Sequence, residues 1–198
     1  MCIAKSFCLW LLQIVGLLGL LALCLWLIMR PKDPIFTIVE FSVPSISSQN
    51  SSAAGDAYND DTLSFTLEIS NPNKDSRIYY NDIVLIFYFG QDTVGKKNIS
   101  SFHQEKGKNF QERNHVDAED QKVKRALAEA ISNGHAELKV ELSTVIQYKT
   151  WGIRSKHHGV NKQATIPVGS DGKISGKKKK IKLHNASKIF NLRNKKFL

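Results

Sequence analysis

Three features of the chain predict a membrane-anchored, mostly β protein. One charge-free apolar stretch lies near the N-terminus, a series of short segments alternates with period two after it, and a single segment among them has helical period. An N-terminal transmembrane helix followed by an antiparallel β-sandwich of about seven strands with one short helix satisfies all three. A parallel α/β sheet would need a helix after nearly every strand and is excluded.

The anchor is Ser6 to Met29, 24 residues without a charged side chain, ten of them leucine, held between Lys5 and Arg30. At about 1.5 Å per residue such a helix reaches about 36 Å, enough to cross a hydrocarbon core of about 30 Å with some tilt. Lipid offers no partner to backbone N–H and C=O groups, so the segment must satisfy them itself, as a helix does. Trp10 and Trp26 lie near its two ends, where amphipathic rings suit the headgroup layers. A cleaved signal peptide is the rival reading, but the run exceeds the roughly 7 to 15 apolar residues of such a segment. Trp26, Leu27 and Ile28 also stand where small residues would be needed, and Leu23 is too large to precede Cys24 in a lipoprotein cleavage box. The expected organisation is a short cytoplasmic N-terminus (1–5), a span (6–29), a β domain (30–184) and a basic mobile tail (185–198).

Charge separates the domain from its tail. Residues 31–171 carry 16 basic and 18 acidic side chains, whereas ten Lys and Arg and no acid follow from Lys173 onward. Of these, Lys177, Lys178, Lys179, Lys180, Lys182, Lys188, Arg193, Lys195 and Lys196 form the basic tail segment. Such a block is ordinarily a solvated stretch, and its sharper reading is attraction to a polyanion, either anionic lipid or acidic wall polysaccharide. Nucleic acid is not an expected partner of an anchored chain. The three cysteines, Cys2, Cys8 and Cys24, all belong to the anchor or its edge, so the β domain contains no disulfide. Cys2, beside the membrane, is a palmitoylation candidate.

Pro31 and Pro34 stop the helix, since proline lacks the amide and disfavours helix in the residue before it. Ile35 to Val43 then alternates, with apolar residues on both faces near its start. The Ser-, Asn- and Asp-rich stretch from Ser45 to Asp61 has nothing to bury and reads as a mobile loop. From Thr62, Leu63, Phe65, Leu67 and Ile69 alternate with polar residues in a half-buried strand. Asn71-Pro72-Asn73-Lys74-Asp75 ends it through a missing donor and two Asn side chains able to close local turns. Ile78 to Phe89 is a run apolar on both faces, and Lys96 to Phe102 and Phe110 to Val116 are weaker strands. Asp117 is placed to cap a helix with Val123, Ala126, Leu127, Ala130 and Ile131 on one face, ended by Asn133-Gly134. Leu138 to Tyr148 carries the longest period-two pattern. Val160 to Val168 and Lys180 to His184 add short strands around the Gly169-Ser170-Asp171-Gly172 turn.

The single span behind a short N-terminus, Pro31 to Pro34, the Asn71 to Asp75 turn followed by Ile78-Tyr79-Tyr80-Asn81-Asp82, and the Lys149-Thr150-Trp151 region carry a family resemblance. So do Asn133-Gly134 and Gly176-Lys177-Lys178. In that order and spacing they resemble the plant harpin-induced and non-race-specific disease resistance proteins, which carry a late embryogenesis abundant group 2 domain. The resemblance runs from the span to about Leu183. It implies a seven-stranded sandwich of fibronectin-like shape, anchored in the plasma membrane with the domain facing the cell wall. It implies a non-enzymatic part in defence signalling, the hypersensitive response and stress tolerance, exercised through a protein partner. A structural protectant of membranes or proteins during water loss, without a specific partner, is the alternative. Two features depart from the family. The cytoplasmic N-terminus is only five residues, which excludes signalling through a long cytoplasmic tail, and Asn185 to Leu198 has no counterpart.

No catalytic constellation is expected. The domain has no cysteine, no Gly-rich phosphate loop and no His pair at metal-ligand spacing on a helix. His157 and His158 are adjacent, so on a strand they point to opposite faces and make a poor ligand pair. Catalytic residues, cofactors and metal ligands are accordingly expected to be absent. Asn50, Asn98 and Asn185 each begin an Asn-X-Ser sequon and are glycosylation candidates. Lys5 against Arg30 and Lys32 leaves orientation undecided by charge. The resemblance favours a single-pass plasma-membrane protein with its C-terminal domain outside. Lys195-Lys196-Phe197-Leu198 looks like a dilysine retrieval signal and supports an endoplasmic reticulum alternative with the domain in the cytosol.

Overall fold

The computed structural model describes residues 2–28, 30–43, 62–117, 120–134, 136–176 and 179–186. The chain forms two units, one ending at Lys32 and the other beginning at Asp33. The first holds helix α1 (Cys2–Ile28), 27 residues long, which starts ahead of the expected Ser6. Its segment Leu9–Trp26 has a mean hydropathy of 2.3 and no buried residue, and is long and apolar enough to cross a membrane.

The second unit is built, in chain order, from β1 (Ile35–Ser42), β2 (Thr62–Ser70), β3 (Ser76–Tyr80), β4 (Ile83–Phe89), β5 (Asp92–Ile99), β6 (Phe102–Gln104) and β7 (Asn109–Asp117). These are followed by α2 (Gln121–Ser132), β8 (Ala136–Thr150), β9 (Ile153–Arg154), β10 (His158–Val168), β11 (Ile181–Lys182) and β12 (His184–Asn185). It is the expected antiparallel sandwich, although twelve strands, several very short, stand among the described residues instead of about seven. One sheet has the order β11-β1-β2-β7; the other runs β12-β10-β8-β3-β6, with β4 also on β8 and β5 outside β4.

Strand β8 is the spine of the larger sheet. Its period-two sequence sends Ala136, Leu138, Val140, Leu142, Ile146 and Tyr148 inward, all buried. On one edge it pairs with β10 without interruption, from Ala136↔Val168 to Ile146↔His158. On the other edge it pairs with β4 and then β3.

The apolar run expected as one strand from Ile78 to Phe89 is therefore two strands lying end to end along β8. Tyr80 stands opposite Ile146 and Val84 opposite Ser143, so Asn81-Asp82-Ile83 face only Thr144-Val145 and one residue is extra. The Asn81 N–H donates to the Val145 carbonyl at 2.9 Å, and Thr144 Oγ1 donates to the Asn81 carbonyl at 3.1 Å. The insertion moves the inward phase from Ile78 and Tyr80 to Ile83, Leu85 and Phe87, all buried. β1 does the same. A register shift between Ile38 and Glu40 lets Phe36 and Ile38, then Phe41 and Val43, face one core. The bulges account for part of the expected two-faced pattern; the rest is real, since Ile35 and Val39 of β1 and Val84, Ile86 and Tyr88 of β4 lie half-buried on the opposite face.

Aromatic rings fill the core, with Phe65 and Phe41 at 5.0 and 6.1 Å from Phe87 and the Phe36 ring edge-on to Tyr80 at 6.3 Å. The sandwich closes along two sides. On one, β5 presses on β7 at Gly95, where a Cβ would meet Val116 Cγ1 and lie 2.6 Å from the Asp117 carbonyl oxygen. On the other, the strand expected at Lys180 to His184 changes sheet. β11 pairs with β1 and β12 with β10, and between them buried Leu183 donates its N–H to the Phe36 carbonyl at 2.9 Å.

Other boundaries also differ from expectation. β5 begins at Asp92 instead of Lys96, and it breaks before Phe102, where Asp82 Oδ1 accepts the Ser101 N–H at 2.9 Å. Asp117 ends β7 opposite Thr62, and the helix cap is Asp120, whose carboxylate accepts from the Lys122 N–H. Leu127 and Ile131 of α2 are buried, and Gly134, at φ 71, ends the helix as expected. Residues 44–61, expected as a polar loop, lie outside the described residues.

A buried polar network holds the Asn71 to Asp75 turn. Asn71 is 1% exposed; its amide donates to the Ser76 carbonyl at 2.9 Å and the Glu105 carbonyl at 3.0 Å. Its oxygen accepts from both the backbone and the side chain of Asn73 at 3.0 Å. Beside it, Gln104 donates to the Ile69 and Lys108 carbonyls and accepts from Tyr80 Oη at 2.8 Å. Burial holds the Tyr80 phenol far above its ordinary pKa, with Tyr148 adding to the effect. Tyr148 is raised first by burial and then by Asp33, to which its hydroxyl donates at 3.4 Å.

Asn71→Ala would remove four hydrogen bonds, two to the Ser76 and Glu105 carbonyls and two from Asn73 N–H groups, and is expected to cost about 3 to 5 kcal/mol in urea unfolding of the full chain in nonionic detergent. The phenols set an alkaline limit. Unfolded tyrosines lose their protons near pH 10 while the folded ones keep theirs, so the folded state then binds more protons. Stability should be flat below that value and fall above it, and the urea midpoint at about pH 11 should lie below that at neutral pH.

Candidate functional site

The extra residue at Asn81-Asp82-Ile83 shapes the outer face of the larger sheet. Where β3 gives way to β4, an open groove of about 610 Å³ lies on the sheet. Val84 of β4 and Val145 of β8 supply its apolar lining, with Asp82, Ser101, Ser143 and Asn161 as polar groups. Gly159 stands directly opposite Val145 and has no side chain to fill the gap. Asp82 is fixed by the Ser101 N–H, and Thr144 by the Asn81 carbonyl, so the polar positions are held by the fold. Apolar lining with a few oriented polar groups, within the roughly 300 to 1,000 Å³ usual for binding clefts, suits capture of a short segment with mixed polar and apolar side chains.

A smaller cleft of about 300 Å³ lies on the other sheet, among Glu40, Ser42, Ser64, Thr66, Arg113 and Lys173. It is largely satisfied within itself. Ser42 and Ser64 share a hydroxyl hydrogen bond of 2.6 Å, and Thr66 donates to Glu40 at 3.1 Å.

The modification candidates scatter. Asn98 is exposed on β5 opposite Val84, and so shares the outer face with the groove. Asn185 lies in β12 and its side-chain oxygen accepts from Lys162 Nζ, so the tail expected from residue 185 begins with a paired residue. Cys2 is the first residue of α1. Asn50 lies outside the described residues. Of the basic segment, Lys182 belongs to β11 and Lys180 Nζ is 3.5 Å from Glu68, while Lys179 is exposed. Lys177, Lys178, Lys188, Arg193, Lys195 and Lys196 are outside the described residues.

Among the described residues no three His, Cys, Asp or Glu side chains gather as metal ligands would. His158 lies beside the Tyr148 ring at 5.9 Å. The groove itself is absent from the sequence reading, because its residues come from distant strands. The one local trace was a polar pair, Asn81-Asp82, inside an apolar run.

The family profile described as late embryogenesis abundant protein matches residues 66–164, from β2 to β10. Protein NDR1 of Arabidopsis thaliana is 31% identical over 186 residues, covering 89% of this chain and 81% of that protein. NDR1/HIN1-like protein 3 of the same plant is 36% identical over 95 residues, 48% of this chain and 39% of that protein. The likeness to the first extends beyond the β domain and over most of both chains. The chain thus belongs to the late embryogenesis abundant group 2 family, in its NDR1 and harpin-induced branch.

Proposed function

We propose that this chain is a non-enzymatic, single-pass membrane protein of plant defence and stress response, acting by presenting its sandwich to a protein partner. The observation that carries the reading is the likeness to Protein NDR1 over most of both chains, together with an α1 long and apolar enough to span a membrane. The groove beside Asn81-Asp82 is the surface on which the partner is expected to sit. In this reading the domain faces the cell wall from the plasma membrane, Cys2 and the sequons are open to modification, and the basic C-terminal segment meets acidic wall polysaccharide or anionic lipid.

Val145→Glu and Asn161→Arg alter the groove without touching the inward-facing rows of β8 and β10. Each is expected to abolish a pathogen-response phenotype in complemented plants, with protein level and membrane association unchanged. A full response from both variants would remove the groove from the function. Orientation is checked separately, by protease protection of a C-terminal tag on sealed vesicles beside glycosidase digestion. The tag should be protected, and a mobility shift should disappear with Asn98→Gln if that sequon is used. A clipped tag with no glycan would place the domain in the cytosol.

A further inference from the structure

β8 and β9 form a hairpin whose tip is Trp151-Gly152. Thr150 pairs with Ile153 and Lys149 with Arg154, leaving a two-residue loop with φ of 49 at Trp151 and 86 at Gly152. Such loops favour Asn or Gly, because positive φ crowds a Cβ. Trp151 is the single non-glycine residue with positive φ among the described residues. A bulky aromatic is strained there, and packing inside the domain does not offset the strain. The side chain is in fact 72% exposed, and Ile153 is 76% exposed. They are the large apolar side chains that the described part of the sandwich leaves in the open.

The hairpin itself is basic; on the neighbouring strand Asp75 precedes Ser76, and Arg77, opposite Lys149, is paired with Glu105 at 2.7 Å. Lys149 and Arg154 are cross-strand neighbours, and like charges so placed repel in the absence of an anion. Lys156 follows, and no acidic residue occurs between Glu141 and Asp171. Arg154 lies over the Tyr79 ring at 4.8 Å, which fixes its charge beside the tip.

The tip also lies at the end of the sandwich where the chain enters from α1. Ile35, the first residue of β1, pairs with Ser70 at the end of β2. The next residue, Asn71, is bonded to Ser76, and Ser76 pairs with Thr150 through a side-chain contact of 2.6 Å, immediately before Trp151. Asp33, two residues before β1, accepts from the hydroxyl of Tyr148, two residues before Thr150. Four residues, 29–32, separate Ile28 of α1 from Asp33, so the two are five steps apart along the chain, a reach of at most about 18 Å. A bilayer crossed by α1 is therefore within reach of this end.

We infer that the Trp151 to Arg154 hairpin is a second membrane contact, in which Trp151 and Ile153 insert into the headgroup layer while Lys149, Arg154 and Lys156 meet anionic headgroups. The inference rests on α1 crossing the bilayer. Trp and an aliphatic neighbour ringed by cations match the chemistry of that layer. The partner is the lipid surface itself, and it accounts for three oddities together: a tryptophan at positive φ, two exposed apolar side chains, and a like-charge pair.

The test uses the full chain with Trp10→Phe and Trp26→Phe, which leaves Trp151 as the sole tryptophan, reconstituted in phosphatidylcholine and phosphatidylglycerol vesicles. Alkaline extraction first checks that α1 holds the protein in the bilayer; release at that step would overturn the anchor and not the hairpin. With the anchor secure, lipids brominated high on the acyl chain should quench Trp151 emission at least twofold, and aqueous iodide should quench little. Ile153→Asp, with circular dichroism unchanged, should lower the bromolipid quenching at least twofold. Iodide quenching without bromolipid quenching would overturn the inference. So would a blue shift that depends on protein density and not on lipid, since the tip would then meet a second copy.

Discussion

The uninterrupted ladder between β8 and β10 is the constraint on which the rest of the domain depends. A β-strand has a side-chain period of two, so a slip of one residue would send the whole inward row of β8 to solvent. The ladder prevents this on one edge, and β3 and β4 hold the other. With that register set, other strands must conform to it, and two of them do so by carrying an extra residue. The insertions in β1 and between β3 and β4 are the means by which strands with shifted apolar patterns share a core with a strand that has none.

The residues that carry the family likeness accordingly divide into two kinds. Asn71, Asn73 and Tyr80 are inward parts of a satisfied network that ties the end of β2 to β3 and β6, and their chemistry is spent on the fold. Asn81 and Asp82 are where the strand departs from regularity, and there the surface opens. A glycan at Asn98 would stand beside the same groove, so modification and partner access would compete for one face.

Much of this was legible in sequence where the controlling forces are local. The long apolar helix, the alternating rows of β2 and β8, and the second helix from its apolar stripe to Gly134 all depend on residues within a few positions of one another. The misreadings occur where a distant strand decides. Whether Asn81-Asp82 bends a strand depends on Thr144 and Val145; whether Lys180 to His184 is one strand or two depends on Phe36 taking the Leu183 amide. Asp117 and Asp120 are equally able to cap, and pairing with Thr62 removes the first from the contest. The groove and the basic, apolar end are assembled from strands far apart in the chain and leave almost no local signature. Lys149-Thr150-Trp151 was informative as a pattern, but its exposure was not.

Strand β1 lies between β11 and β2 and receives the chain directly from the anchor side. The hydrogen bonds of antiparallel strands run perpendicular to the strand axis. A pull along β1 from its N-terminal end would load the bonds to both neighbours in shear at once, whereas an edge strand peeled sideways yields them one by one. A load arriving through the segment that precedes β1 would thus enter the domain along the mechanically strong direction of its sheet.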